Sequence, residues 1–205
     1  MPELWVDKDS CLEVIYSLKL VGLVITSDMS WQAHVSYTIT RVNKVLWQLT
    51  RFKQLGASTE KLIVFYTVKI RSILMFGAAC FHSALTSDQS DRLELQQKRS
   101  LAIILGKKYR SYENARVLVN LPTLRDLRES VCLKWALKSA ASPQHSHLFP
   151  LNQSEIQTRH QQKYLEYHCK GSRYYHSAVP AMTRSLNQYH SKLEASRRSF
   201  FNNQE

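Results

Sequence analysis

From Ser30 onward the apolar residues of this chain recur every three or four positions. Trp31, Val35, Ile39, Val42, Leu46 and Leu49 are separated by steps of 4, 4, 3, 4 and 3, which puts them on one stripe of a helix. Asp28 or Ser30 is its candidate cap and Gly56 its stop. Upstream the period is two. Ser17-Leu18-Lys19-Leu20-Val21 alternates before running into Gly22-Leu23-Val24-Ile25, so Cys11 to Thr26 reads as one or two short strands, a hairpin with Gly22 at its middle. Two strands alone are unstable in water. They must lean on the helices that follow or on a sheet outside this chain.

The next helix opens at Ser58-Thr59-Glu60-Lys61, and from Leu62 to Leu85 the only charges are Lys69 and Arg71. A helix apolar nearly all round is normally enclosed by neighbours, which predicts that it forms the centre of a bundle. Ser87 and Asp88 are candidate caps for a third helix through Leu93, Leu101, Ile104 and Leu105, ended by Gly106. A shorter helix is expected from Tyr112 to Val119. Pro122 then breaks the chain and Thr123 caps a fifth helix carrying Leu124, Leu127, Val131 and Trp135. Beyond Ser142 helical apolar spacing gives way to Ser, Pro, Gln and His, with ordered islands expected at 164–167 and 173–186. The predicted architecture is mainly α: a short N-terminal β-hairpin over 1–28, a multi-helix bundle over 29–142, and an irregular, poorly ordered extension over 143–205.

Several chemistries lack their signatures. The chain has five glycines in 205 residues, and Gly22, Gly56, Gly77, Gly106 and Gly171 are too scattered for a G-x-G-x-x-G or Walker loop. Cys11, Cys80, Cys132 and Cys169 form no C-x-x-C pair, so no zinc-ribbon or thioredoxin spacing exists. Cys80 and Cys132 lie in apolar runs and are expected to be small buried hydrophobes. His145 and His147, then His160, His168 and His176 at steps of eight with Cys169 beside His168, also miss the short spacings of a closed zinc site. The close acid groups are Asp7/Asp9, Asp88/Asp91 with Glu94, and Asp126/Glu129. The last two groups fall near helix starts, where acids complement the dipole. No catalytic residue, metal site or cofactor is predicted. The uncharged stretch from Ser72 to Ser87 is too short and polar for a membrane span, and Met1-Pro2-Glu3 opens no signal peptide. An intracellular protein without a membrane partner is expected.

The charge is what remains. Lys and Arg number 28 against 16 Asp and Glu, a formal +12. Residues 1–30 carry −3, residues 31–150 carry +11 and residues 151–205 carry +4. On the first helix Arg41, Lys44, Gln48 and Arg51 recur at steps of three and four, away from the apolar stripe. Such a row is either a solvated face or a phosphate-binding one. Lys107-Lys108-Tyr109-Arg110-Ser111-Tyr112 adds three cations and two aromatics in six residues, a composition suited to phosphate contact and stacking. With Arg41, Lys44, Arg51 and Lys53 it would form one positive surface.

A family resemblance enters with these residues. The passage from Lys19-Leu20-Val21-Gly22 through Asp28-Met29-Ser30-Trp31-Gln32-Ala33-His34-Val35 resembles the one that follows the catalytic palm in reverse transcriptases of LINE-type non-LTR retrotransposons. Gly56 to Tyr66 with Lys69-Ile70-Arg71-Ser72-Ile73-Leu74 is similar to the thumb helix of that family. Leu93-Glu94-x-x-Gln97-Lys98-Arg99-Ser100-Leu101-Ala102-Ile103-Ile104-Leu105-Gly106, Leu121-Pro122-Thr123-Leu124-x-x-Leu127-Arg128 and Ser177-Ala178-Val179-Pro180 are similar to later segments, in the same order. The likeness covers about residues 15 to 186.

The resemblance implies the thumb and post-thumb part of an RNA-directed DNA polymerase, whose role is to hold the RNA/DNA template–primer duplex by its backbone beside the palm. The aromatic-x-Asp-Asp of the palm, the endonuclease domain and the Cys-Cys-His-Cys knuckle of some members have no counterpart here, so no catalytic role is carried over. Arg41, Lys44, Arg51, Lys53, Lys69, Arg71, Lys98, Arg99, Lys107, Lys108 and Arg110 are the expected phosphate contacts. An alternative is a helical interaction module with no nucleic-acid role. Segments of this kind also share a name with the N-terminal segment of the eighth AlkB homologue, which would imply 2-oxoglutarate/iron oxygenation or methyl transfer from S-adenosylmethionine. No His is followed two residues later by Asp, and no Gly-rich strand-to-helix turn is present, so neither activity is inferred.

Overall fold

The computed structural model describes residues 5–7, 10–11, 15–153 and 162–202, with side chains for 15–153 and 162–196. His160 and the side chains of Asp7, Asp9 and Cys11 therefore lie outside the described residues. The chain is mainly α and 70% helical. Two antiparallel strand pairs come first: β1 (Trp5–Asp7) with β2 (Ser10–Cys11), and β3 (Ser17–Leu20) with β4 (Leu23–Thr26). β3 and β4 pair in unbroken register from Ser17 with Thr26 to Leu20 with Leu23. Val21 and Gly22 between them both have positive φ, 48° and 88°, the geometry that matches the twist of a hairpin. The hairpin leans on the bundle, as a lone strand pair must. A Cβ on Gly22 would lie 3.0 Å from the Phe76 ring, and one on Gly77 would lie 2.6 Å from the Leu23 side chain. His34 Nδ1 accepts the Val24 N–H at 3.4 Å and packs among Trp31 and Phe81.

Helix α1 (Gln32–Gln54) buries Val35, Val42, Leu46 and Leu49, the stripe read from its spacing. Asp28 shapes the entry rather than capping the first turn. Its carboxylate accepts from the Ser30 N–H and the Thr26 hydroxyl, and the Thr26 bond foremost holds its pKa down at about 2.

The apolar run that follows divides into α2 (Thr59–Phe65), a π-helical segment (Tyr66–Arg71), α3 (Ser72–Met75) and α4 (Ala78–Phe81). Leu62, Tyr66, Ile70, Leu74 and Ala78 are all buried and recur at steps of four. On an α-helix each such step over-rotates by about 40°. The wider π turns absorb that drift and keep the stripe facing the core. The run is not enclosed all round as its composition predicts, because Val64, Val68 and Phe76 on the other side are exposed. Thr59–Ala84 is long and apolar enough, by length and composition, to cross a membrane, and here its inner stripe packs into the core shared with α1.

Helix α5 (Ser87–Leu105) is capped one residue before the first of the expected caps. Thr86 and Gln89 form a reciprocal capping box. α5 runs parallel to α1: Gln89 bonds Gln32, Arg92 bonds Ser36, Arg99 bonds Asn43, and Lys53 reaches Ile103 and Ile104. Helix α6 (Tyr112–Val119) and helix α7 (Leu124–Ala141), the latter capped by Thr123, complete this layer. α7 buries Leu124, Arg128, Cys132, Ala136 and Ser139, whereas Val131 and Trp135 of the expected stripe are exposed.

A polar cluster ties the elements together. Gln97 Oε1 accepts from the Tyr66 hydroxyl, and its amide donates to the Tyr112 hydroxyl and to the Pro122 carbonyl, each at 2.8 Å. Tyr112 in turn donates to Glu94, whose carboxylate takes the first N–H of α7, Leu124, at 3.1 Å. Glu94 is thus an N-terminal partner of α7, not of its own helix. Burial pushes the pKa of both tyrosines up, and the Glu94 carboxylate adds to the effect on each.

The extension expected to be irregular contains α8 (Ser172–Tyr175) and the long α9 (Ala178–Asn202). α9 rests on α7, and a second cluster of Cys132, Ala136, Phe149, Tyr164, Met182 and Leu186 forms there. Asn187 clamps the incoming chain by accepting the Tyr164 N–H and donating to the Tyr164 carbonyl, at 2.9 and 3.0 Å.

Replacing Gln97 by Met keeps its volume and removes its three bonds, so that the buried Tyr66 hydroxyl and the Pro122 carbonyl lose their partner and the Tyr112 hydroxyl keeps only Glu94. The expected loss is about 2–4 kcal/mol of unfolding free energy by denaturant titration. Tyr66→Phe, which removes a single hydroxyl, is expected to cost about 1 kcal/mol.

Candidate nucleic-acid interface

Helix α1 contains four cations and no acid in its 23 residues. Arg41, Lys44 and Arg51 are exposed along the face opposite the core. Aromatic side chains stand beside them at helical spacing. The Arg41 guanidinium lies 5.7 Å from the Tyr37 ring centre and the Lys19 ammonium, from β3, lies 4.7 Å from the same ring. The Arg51 guanidinium lies 5.2 Å from the ring centre of Trp47, which is 62% exposed. The Lys19 contact, foremost, draws the Tyr37 hydroxyl below its ordinary pKa.

The parallel neighbour extends this face. Arg99 donates to Asn43 at 3.0 Å and Arg92 to Ser36 at 3.2 Å, so the α5 flank at the α1 seam contributes two further guanidinium groups. Lys98, adjacent in sequence, turns about 100° away. It lies over Tyr112, which Arg116 also approaches, at 5.1 and 5.3 Å. The structure thus gathers Arg41, Lys44, Arg51 and Arg99 and separates Lys98 from them.

Lys53 has a structural task. Its ammonium donates to the carbonyls of Ile103 and Ile104, each at 2.6 Å, closing the C-terminus of α5, and a Cβ on Gly106 would lie 2.9 Å from it. Lys107, Lys108 and Arg110 are exposed just beyond that helix end, the end that Lys53 joins to the C-terminus of α1. Cations are favoured at such carbonyl ends for the sake of the helix dipole alone. Lys108 also lies near Glu60 and is a minor cause of its lowered pKa, after hydrogen bonds from the Glu60 backbone and Ser58. Lys69 and Arg71 lie on the π-helical segment, exposed and half-buried respectively, with no contact to the α1 cations among those the structure shows. The expected phosphate contacts do not include Lys19 or Arg92, and Tyr37 and Trp47 join them here. The i, i+4 spacing of Tyr37 with Arg41 and of Trp47 with Arg51 is the signal that marks the aromatics.

Elsewhere, a cleft of about 560 Å³ opens between α7 and α9, with His82, Cys132, Met182 and Tyr189 in its wall. Behind it the fully buried Arg128 donates to His82 Nδ1 at 3.3 Å and to Ser90 at 2.7 Å, and its Nη1 has no partner among the described residues. Burial foremost and the Arg128 charge next hold His82 down at about pKa 4. His34 is likewise lowered by burial. Cys132 is buried, with its thiol raised to about 11 by desolvation, whereas Cys80 is exposed, contrary to its apolar sequence setting. Among the described residues no three His, Cys, Asp or Glu converge as a metal-holding group. Compared with known proteins, the chain matches no family model, and no curated protein and no solved structure is significantly similar to it.

Burial lowers the pKa of both His34 and His82 below the ordinary 6.5, that of His82 to about 4. Their contribution is complete above about pH 6.5 and is lost as pH falls below it, for His82 down to about 4, because the unfolded chain binds these protons first. Thermal unfolding midpoints are expected to drop across that interval, and His82→Gln is expected to shallow the drop. A flat profile would contradict the burial of these rings.

Proposed function

We propose that the chain binds nucleic acid by its phosphate backbone, without reading sequence, through the cation-bearing face of α1 and the adjoining flank of α5. One observation carries this reading. Arg41, Lys44, Arg51 and Arg99 are exposed together on one surface, and the sole ion pair among the described residues, Arg125 with Glu129, lies elsewhere. Exposed cations with no carboxylate opposite them leave their charge to a polyanion. In the light of the resemblance, the chain is a non-catalytic thumb and post-thumb segment of a non-LTR retrotransposon reverse transcriptase. It would grip template–primer nucleic acid beside a palm domain that performs the chemistry.

The second reading is a helical interaction module. It is favoured by the outer side of the α2–α3 run, where Val64, Val68 and Phe76 are 61%, 59% and 46% exposed. In that case the isolated chain self-associates and shows no salt-dependent binding to nucleic acid.

Filter-binding titrations with an RNA–DNA hybrid, beside a light-scattering mass, separate the two. Four phosphate contacts give a log–log salt slope of about −3 to −4, hence a steep fall between about 50 and 200 mM. Reversing Arg41, Lys44 and Arg51 together to Glu is expected to weaken binding at least about tenfold, alike for unrelated sequences, and to flatten the slope. Unchanged affinity would remove this face from the assignment.

A further inference from the structure

We infer that the α1 face takes an unpaired strand, with Trp47 as a stacking platform for a base, an inference that rests on the nucleic-acid reading above and specifies its ligand. Trp47 is 62% exposed on a regular helix and belongs to neither hydrophobic cluster, unlike Trp31, which packs against the core. Arg51 lies over its ring, and no ring or second cation meets the other face among the described residues. Tyr37 differs in this respect, since Lys19 and Arg41 both lie over it.

The surroundings of the indole are those of a strand-binding site. Lys44, three residues before it, and Arg51, four after it, are exposed on the same helix, about 10 Å apart along the axis. Asn43 beside it is bonded to Arg99 across the seam. Cations that track a backbone, with an aromatic plane between them, suit successive phosphates with a splayed base. Bases within a duplex are already stacked on one another. A side chain on a straight helix meets a duplex at its phosphates, so the open indole face adds affinity only where a base is unpaired.

The test is fluorescence anisotropy of the full chain with a labelled oligothymidylate and, in parallel, a blunt duplex. Trp47→Ala is expected to weaken oligothymidylate binding about tenfold, in the range of single-base stacking, with the salt slope and the thermal midpoint unchanged. Trp47→Phe is expected to retain most of the affinity, and duplex binding is expected to change less than twofold. An unaltered affinity of Trp47→Ala for the single strand, or an equal loss on both ligands, overturns the stacking role and leaves backbone binding standing. Failure of the unaltered chain to bind either ligand overturns both.

Discussion

The carboxamide of Gln97 is the point on which the arrangement of the helices depends. It is fully buried and joins the π-helical segment through Tyr66, α6 through Tyr112 and the entry of α7 through Pro122, while Glu94 one turn earlier receives the first N–H of α7. Each partner left unsatisfied in that environment would cost about 1–3 kcal/mol, so the rotation of α5 about its axis is strongly specified. With Glu94 and Gln97 committed to α6 and α7, the opposite flank, Arg92, Gln96 and Arg99, is committed to the α1 seam. The placement of Arg99 on the candidate interface is therefore a consequence of a buried hydrogen-bond network on the other side of its own helix.

Much of this architecture is legible along the chain because the local signals agree with one another. The α1 stripe, Thr123 as a cap and the limits of α6 follow from spacing and capping chemistry. Three features escape that reading for physical reasons. The step of four in Leu62, Tyr66, Ile70 and Leu74 averages α turns with the wider turns of the π-helical segment, and apolar residues on the exposed side obscure it. In α7 the inward positions hold Arg128, Cys132 and Ser139, polar or small, while Val131 and Trp135 face out, so hydrophobicity alone selects the wrong stripe. The period of α9, Val179, Met182, Leu186, Tyr189 and Leu193, is present in the sequence at steps of three and four. It was diluted by polar neighbours, and its partner surface on α7 is visible only in three dimensions.

The site is legible to a lesser degree. A row of cations on one helix can be read from the sequence, but their company cannot. Lys98 and Arg99 are neighbours in sequence and separated in space, and Lys53, two residues after Arg51, is occupied by the carbonyls of α5. Several residues that carry the family resemblance, His34, Glu94, Gln97 and Arg128, are engaged in packing and hydrogen bonding within the fold. They hold the fold together and do not lie on the candidate interface.

The parallel course of α1 and α5 sets the last distinction. Parallel helices bring two carbonyl ends together, and that end requires positive charge. Lys53, Lys107 and Lys108 meet this requirement whatever the chain binds. Arg41 and Lys44 are mid-helix on an element with no acid, and Arg99 is bonded to an exposed amide. The fold gains little from these three, and a chain of +12 is strained by their mutual repulsion. Cations that cost the free protein some stability and have no carboxylate partner among the described residues are the ones an external polyanion would relieve most. Their replacement should therefore separate binding from folding, whereas replacement at the helix ends disturbs both.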